Sequence, residues 1–304
     1  MINIQTERIK KLFRILLYLS FGFIIYYLYS FDYIVFSEIS INPFLLGISI
    51  VLLWGGFVAS ALSWKKSLSV HQIKISNNLG IFSHGISVFA KYIPGKVWVI
   101  IGRASVVSER KGSLAELGTI SMKEQLVYLL AGLIVSFIAL LWLPVNPVYS
   151  VIVAFTALFL SLLLFSKRIH HLVLSLIKTI TKKELKIPFV SLNKALPMLK
   201  VITAYWFLWS FGFYILVLSV LPDAPLIVTF AFPLSVCYGL LAIIVPGGIG
   251  VRESIIVFFL TKSGIEPSFA VTISLIQRLW FITGEMFIFG FALILRNKIQ
   301  KREN

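Results

Sequence analysis

Residues 245–253 read Val245-Pro246-Gly247-Gly248-Ile249-Gly250-Val251-Arg252-Glu253 and interrupt an apolar stretch running from 226 to 260. Proline removes a backbone donor and glycine loosens the chain, so the stretch reads as a helix, a break and a second helix. Another stretch, 79–108, is interrupted in the same way by Lys91-Tyr92-Ile93-Pro94-Gly95-Lys96. Six uninterrupted apolar runs accompany these two, near 12–31, 43–64, 119–143, 147–166, 195–220 and 268–295. Each is long enough to cross about 30 Å of hydrocarbon at about 1.5 Å per residue.

Composition points the same way. Of 304 residues, 59% are apolar and 13% charged, the latter about half the share in a soluble domain. A water-soluble globule of this size has no interior for so much apolar surface. An aromatic content of 14% excludes disorder, and a single cysteine, Cys237, excludes a disulfide scaffold. The expectation is an all-α polytopic membrane protein, one membrane domain over 1–304, with six spanning helices and two broken re-entrant helix pairs. The run at 12–31 follows Arg8, Lys10, Lys11 and Arg14, as a secretory signal would, but ends in Tyr26-Tyr27-Leu28-Tyr29 without a small-residue cleavage site. It reads as a retained span with an interfacial aromatic belt.

The net charge of +16 lies in short loops and not in a basic domain, so it sets orientation and does not imply nucleic acid. With a cytoplasmic N-terminus and both broken stretches re-entrant, one side receives Arg8 to Arg14, Lys65, Lys66, Lys74, Arg110, Lys111, the run from Lys167 to Lys186 and the tail from Arg296. The other side receives 32–42, 144–147, 221–225 and 261–267, with Lys262 as its one basic residue and Asp32, Glu38, Asp223 and Glu266 as acids. The positive-inside rule then holds at every loop, which predicts an inner or plasma membrane protein with both termini cytoplasmic. Residues 167–186 read as a basic, amphipathic cytoplasmic connector on the inner leaflet.

The halves echo one another. A shift of 152 sets Trp54 on Trp206, Pro94-Gly95 on Pro246-Gly247, Gly112 on Gly264 and Gln125 on Gln277. Units near 43–143 and 195–295 each read span, broken stretch, span, and the assigned topology inverts one relative to the other, as in many secondary transporters.

Ionisable groups inside a bilayer are costly and mark function. The candidates are Lys96, Arg103, Lys123, Glu124, Arg252, Glu253, Arg278 and Glu285. A helix that starts at a mid-membrane break points its free N–H groups and positive dipole end inward, and a nearby Lys or Arg makes that end suit a phosphate. Lys96, Arg103, Arg252 and Arg278 are expected to bind an anionic headgroup, with Pro94, Gly95, Pro246, Gly247, Gly248 and Gly250 shaping the breaks. Glu124, Glu253 and Glu285 would pair with the cations or carry protons, Glu253 and Glu285 being the carboxylates expected beside Arg278.

No GxxxxGK[ST] loop or HExxH motif occurs, both aspartates fall in external loops, and His71, His84, His170 and His171 lack metal-ligand spacing. No metal, cofactor or enzymatic activity is expected.

The run Tyr92-Ile93-Pro94-Gly95-Lys96-Val97-Trp98, then Gly102-Arg103, with Pro246-Gly247-Gly248-Ile249-Gly250-Val251-Arg252-Glu253, resembles the lysylphosphatidylglycerol synthase transmembrane-region family over roughly residues 10–298. The resemblance implies a flippase-like integral membrane protein. Relatives are implicated in moving lysylated phosphatidylglycerol between leaflets beside a soluble aminoacyl-transferase domain; others occur with glycan and polyprenyl-lipid pathways. This sequence ends at Asn304, so synthase activity is not expected of it, and Lys96-Val97-Trp98 departs from the Gly-Gly-Asp-like sequence of many relatives. The implied function is translocation of an anionic or phosphate-bearing lipid, a phospholipid or a polyprenyl-phosphate-linked glycan, with membrane lipids as partners and a homo-oligomer as the assembly to consider. The alternatives are a non-transporting membrane partner of envelope-glycan or lipid biosynthesis enzymes and, third, an intramembrane lipid-modifying enzyme.

Overall fold

The structure is a computed structural model that describes residues 40–93, 97–182, 189–242 and 245–300. The span expected at 12–31, the motif residues Pro94, Gly95 and Lys96, and the 183–186 end of the connector lie outside the described residues, as does the ring of Pro246.

Among the described residues ten α-helices carry the fold: α1 Pro43–Val70, α2 Asn77–Ser87, α3 Val97–Ser108, α4 Leu114–Leu140, α5 Pro147–Phe165, α6 Lys167–Thr181, α7 Leu192–Val220, α8 Ala231–Leu241, α9 Val251–Lys262 and α10 Pro267–Gln300. Short 3-10 turns at Val88–Tyr92, Leu226–Phe230 and Pro246–Gly248 flank the broken stretches. The protein is therefore all-helical among the described residues. Among the described residues five helices, α1, α4, α5, α7 and α10, are long and apolar enough to cross a membrane. They coincide with five of the six runs read from the sequence, and each broken stretch is a pair of shorter helices, α2 with α3 and α8 with α9.

Local chemistry sets the helix starts. Asn42 Oδ1 accepts from the N–H of Phe44 at 3.0 Å and of Leu45 at 3.3 Å, with Pro43 opening α1. Asn146 and Pro147 repeat the device at α5, where Oδ1 accepts from Val148 N–H at 3.0 Å. Inside the helices, serines return their hydroxyls to the preceding turn, as Ser60 to Phe57 O at 2.8 Å and Ser136 to Gly132 O at 2.7 Å. No hydroxyl in hydrocarbon is then left without an acceptor at these positions.

Helices α1 and α7 form the central seam. Hydrocarbon surroundings give little hydrophobic drive to helix association, so close packing and hydrogen bonds must supply it. Trp209 Nε1 donates to Leu53 O at 3.2 Å and Trp206 Nε1 to Tyr128 O at 3.0 Å. Phe57 meets Trp209 edge-on with centroids 5.2 Å apart. Small residues admit these rings: a Cβ at Gly132 would stand 2.6 Å from the Trp206 ring, and one at Gly284 would strike Phe57.

Around the seam, α2 packs on α10 and α8 on α4; α3 packs on α4 and α9 on α10; α1 meets α10 and α4, and α7 meets α4 and α10. Exchanging α1–α4 for α7–α10 maps each of these contacts onto another. Helices α5 and α6 stand outside that exchange, and α5 is the least buried of the five long helices.

Lys111 Nζ donates to Lys74 O at 2.7 Å, tying together the 71–76 and 109–113 connections. At the opposite end, Asn42 N–H donates to Ser219 O at 2.8 Å.

Candidate functional site

The site is built where the two breaks meet. After α8, residues 246–248 turn once and Gly247, Gly248 and Gly250 take positive φ values of 60°, 69° and 82°. At Gly248 two requirements coincide, because a Cβ would also stand 2.8 Å from Gly239 Cα on the facing backbone. Helix α9 then starts, with Glu253 in its first turn accepting the Gly250 N–H at 2.7 Å. The carboxylate thus lies at the positive end of α9.

From the other break, Tyr92 lays its ring against Gly247, where a Cβ would come within 2.8 Å. Its hydroxyl donates to Glu285 Oε2 at 2.8 Å, and Lys91 forms an ion pair with Glu285 Oε1. Glu285, on α10, is fully buried. Two turns earlier on the same helix, Arg278 donates through Nη1 to Gly247 O at 3.3 Å and stands over the Tyr92 ring at 5.6 Å. Its nearest carboxylate is Glu253 at 3.7 Å, an ion pair too long for a direct hydrogen bond.

Arg252 completes the cluster. Its stem runs along Gly239, leaving 2.9 Å between its Cδ and a Cβ built there. Its guanidinium lies over Phe281 at 4.7 Å and Phe232 at 5.8 Å. Only 5% of the residue is exposed, and its Nε and Nη2 are buried without a partner among the described residues. Lys91 stands over the same Phe281 ring at 4.6 Å.

Next to this cluster lies a cavity of about 160 Å³, whose walls include Lys91, Arg252, His84, Tyr128, Trp209 and Phe281. The cluster beside it holds three cations, Lys91, Arg252 and Arg278, and two carboxylates, Glu253 and Glu285, among the described residues. Glu285 is occupied by Lys91 and Tyr92, and Glu253 Oε2 by the Gly250 N–H, while Glu253 Oε1 faces Arg278 at 3.7 Å and, like Arg278 Nη2, has no hydrogen-bond partner among the described residues. The surplus positive charge is Arg252.

Arg103 and Glu124 form a separate pair joining α3 to α4. Nη2 meets Glu124 Oε2 at 2.7 Å, Nε donates to Ser121 Oγ at 2.6 Å, and the guanidinium lies over Trp64 at 4.5 Å. Ser63 also donates to Glu124 at 2.9 Å. Glu124 reaches the cavity wall whereas Arg103 and Lys123 do not.

Of the residues singled out in the sequence, Gly247, Gly248, Gly250, Arg252, Glu253, Arg278 and Glu285 come together. Glu253 is the partner of Arg278; Glu285, expected beside the same arginine, pairs with Lys91 and Tyr92 instead. Sequence reading did not select Lys91, Tyr92 or His84 as site residues. The signal for Lys91 was present, since it sits inside the apolar stretch 79–108 next to the Pro-Gly break.

Long apolar helices around a buried charged cluster define a multi-pass membrane protein. The sequence profile of the family described as Lysylphosphatidylglycerol synthase TM region matches residues 11–283, and the chain belongs to that family. Membership connects it with the handling of membrane lipids. Searches of curated proteins and of solved structures return no match.

Proposed function

We propose that the protein is a lipid translocase in which a phosphate-bearing headgroup enters the cavity between the two breaks and passes from one leaflet to the other. The observation that carries this reading is Arg252, a guanidinium buried at the wall of an intramembrane cavity with two donors unpaired. Such a group in hydrocarbon costs about 2.5–3.5 kcal/mol even on the lenient scale, and an anionic ligand offsets that cost. The units 43–143 and 195–295 act as an inverted repeat whose interface is the passage. Support comes from the exchangeable contact pattern and from Phe57 touching Trp209, residues that the shift of 152 superposes, with Gly132 and Gly284 related by the same shift.

The chain sits in the inner or plasma membrane, with six spans, both breaks re-entrant and the basic ends cytoplasmic. It moves lipid without a covalent step, downhill or coupled to an ion. Purified chain in proteoliposomes, assayed by leaflet-resolved chemical quenching of a labelled anionic phospholipid, tests this. Wild type should equilibrate the leaflets and Arg252→Gln should not, at equal incorporation and unfolding midpoint. Equal rates for wild type, Arg252→Gln and protein-free vesicles would refute it.

A further inference from the structure

Arg252 has one edge left open. Its guanidinium lies over the Phe281 and Phe232 rings and its stem against Gly239, while Nε and Nη2, whose N–H bonds point the same way along one edge, are both buried and unpartnered among the described residues. That edge matches two oxygens carried on one atom, the bidentate geometry by which arginine holds carboxylates and phosphates.

Charge then sets how much the edge can take. Among the described residues the cluster holds one positive charge beyond its two carboxylates, and each carboxylate already has a counter-charge within the protein, Lys91 for Glu285 and Arg278, at 3.7 Å, for Glu253. In a medium of low dielectric, a ligand with a single negative charge is neutralised there, and a second charge would be buried without a counterpart. Size agrees. About 160 Å³ is the liquid share of about five water molecules, room for a phosphate and the atoms attached to it.

We infer that the Arg252 edge is a site for a singly charged phosphodiester, bound through its two non-bridging oxygens, and that it discriminates against phosphomonoester dianions and diphosphates. The inference rests on the reading that a phosphate-bearing headgroup enters this cavity, and it selects the diester class within that reading. Lys91 and Glu285 keep the charge count by pairing with each other, so Glu285 acts as a specificity-determining residue without touching the ligand.

The test is equilibrium binding to the full chain in detergent at about pH 8, where a phosphomonoester carries nearly two charges. The probes are dihexanoyl phosphatidylmethanol as the diester lipid, dihexanoyl phosphatidate as the monoester lipid, diethyl phosphate as a diester without acyl chains, and inorganic phosphate. The diester lipid should bind at least about tenfold more tightly than the monoester lipid, diethyl phosphate should compete weakly, and inorganic phosphate should not compete. Arg252→Lys, which keeps the charge and loses the edge, should weaken diester binding by about tenfold or more. Glu285→Gln keeps an acceptor for Tyr92 and adds one net positive charge, so it should move the preference about tenfold toward the monoester.

Equal or tighter binding of the monoester by wild type overturns the inference. So does inorganic phosphate binding as well as the diester lipid, or diethyl phosphate binding where the diester lipid does not. Unchanged binding by Arg252→Lys, or an unchanged preference in Glu285→Gln with a wild-type unfolding midpoint, overturns it as well. A chain that binds the diester with this preference but moves no lipid in vesicles defeats the translocase reading alone. A chain that moves lipid without regard to phosphate charge defeats this inference alone.

Discussion

Arg278 and Glu253 hold the second break in place from two helices, one through Gly247 O and the other through the Gly250 N–H. Removing only the cation leaves a buried carboxylate without its counter-charge, which costs about 3–5 kcal/mol in comparable pairs. Arg278→Met should therefore lower the thermal unfolding midpoint sharply. The double variant Arg278→Met/Glu253→Gln retains the Gly250 acceptor and removes both charges, so it should recover most of the loss. A double variant no more stable than the single one would show that the pair is not coupled.

His71 offers a second residue-scale prediction, at the end of α1 outside the spanning segment. Burial holds its imidazole below the usual pKa of 6.5; Lys123 and His170 lower it further against the opposing effect of its bond to Ser67 O. The folded protein thus keeps His71 neutral where the unfolded chain takes a proton. Its contribution to stability is complete above about pH 6.5 and is lost as pH falls through the lowered folded value. The unfolding midpoint in detergent should drop between about pH 7 and about pH 5 in wild type, and His71→Gln should flatten that drop; an identical drop in the variant would exonerate His71.

The elements were legible in the sequence to different depths. Apolar length alone located α1, α4, α5, α7 and α10, because about 20 residues are needed to span hydrocarbon, and Pro-Gly punctuation placed the two breaks. Partner choice across the breaks was not legible. Glu285 shares a helical face with Arg278 two turns away, yet its partners come from residues 91 and 92, nearly two hundred positions distant. Only tertiary packing brings them there. The α4 and α10 glycines went unnoticed for the same reason, since Gly132 and Gly284 look like ordinary helix residues until Trp206 and Phe57 are set against them.

Gly248 carries the element-scale prediction. Its positive φ of 69° and its approach to the Gly239 backbone mean that Gly248→Ala strains the break and pushes α8 from α9. Folded yield and unfolding midpoint should fall together, with a backbone cost of about 1–2 kcal/mol before any clash is counted. Gly118 on α4 has open space around a Cβ, so Gly118→Ala is the matched control and should be neutral or slightly stabilising. Equal midpoints for the two variants would contradict the geometry of the break.

On the scale of the whole molecule, charge and contact agree. Lys111 Nζ meets Lys74 O, and the proposed topology puts both lysines on the side of most basic loops, with Lys262 on the other side beside Asp223 and Glu266. Cys237 is buried against Leu129 O, and Cys237→Ser preserves that donor while giving a background without a thiol. In it, Lys74→Cys should react with a membrane-impermeant reagent only from the cytoplasmic face and Lys262→Cys only from the opposite one. Reaction of both from the same face would break the topology and the inverted repeat together.

The central claim is that a lipid headgroup occupies the cavity between the breaks. The most direct measurement is photocrosslinking in native-like vesicles with an anionic phospholipid carrying a diazirine on its headgroup, followed by mapping of the adducts by mass spectrometry. The account predicts adducts on the cavity-lining residues, His84, Val88 and Lys91 on one break and Gly239, Leu240, Gly247 and Arg252 on the other, and their loss in Arg252→Gln at unchanged unfolding midpoint. Adducts confined to the outward face of α5, equal in wild type and variant, would contradict it.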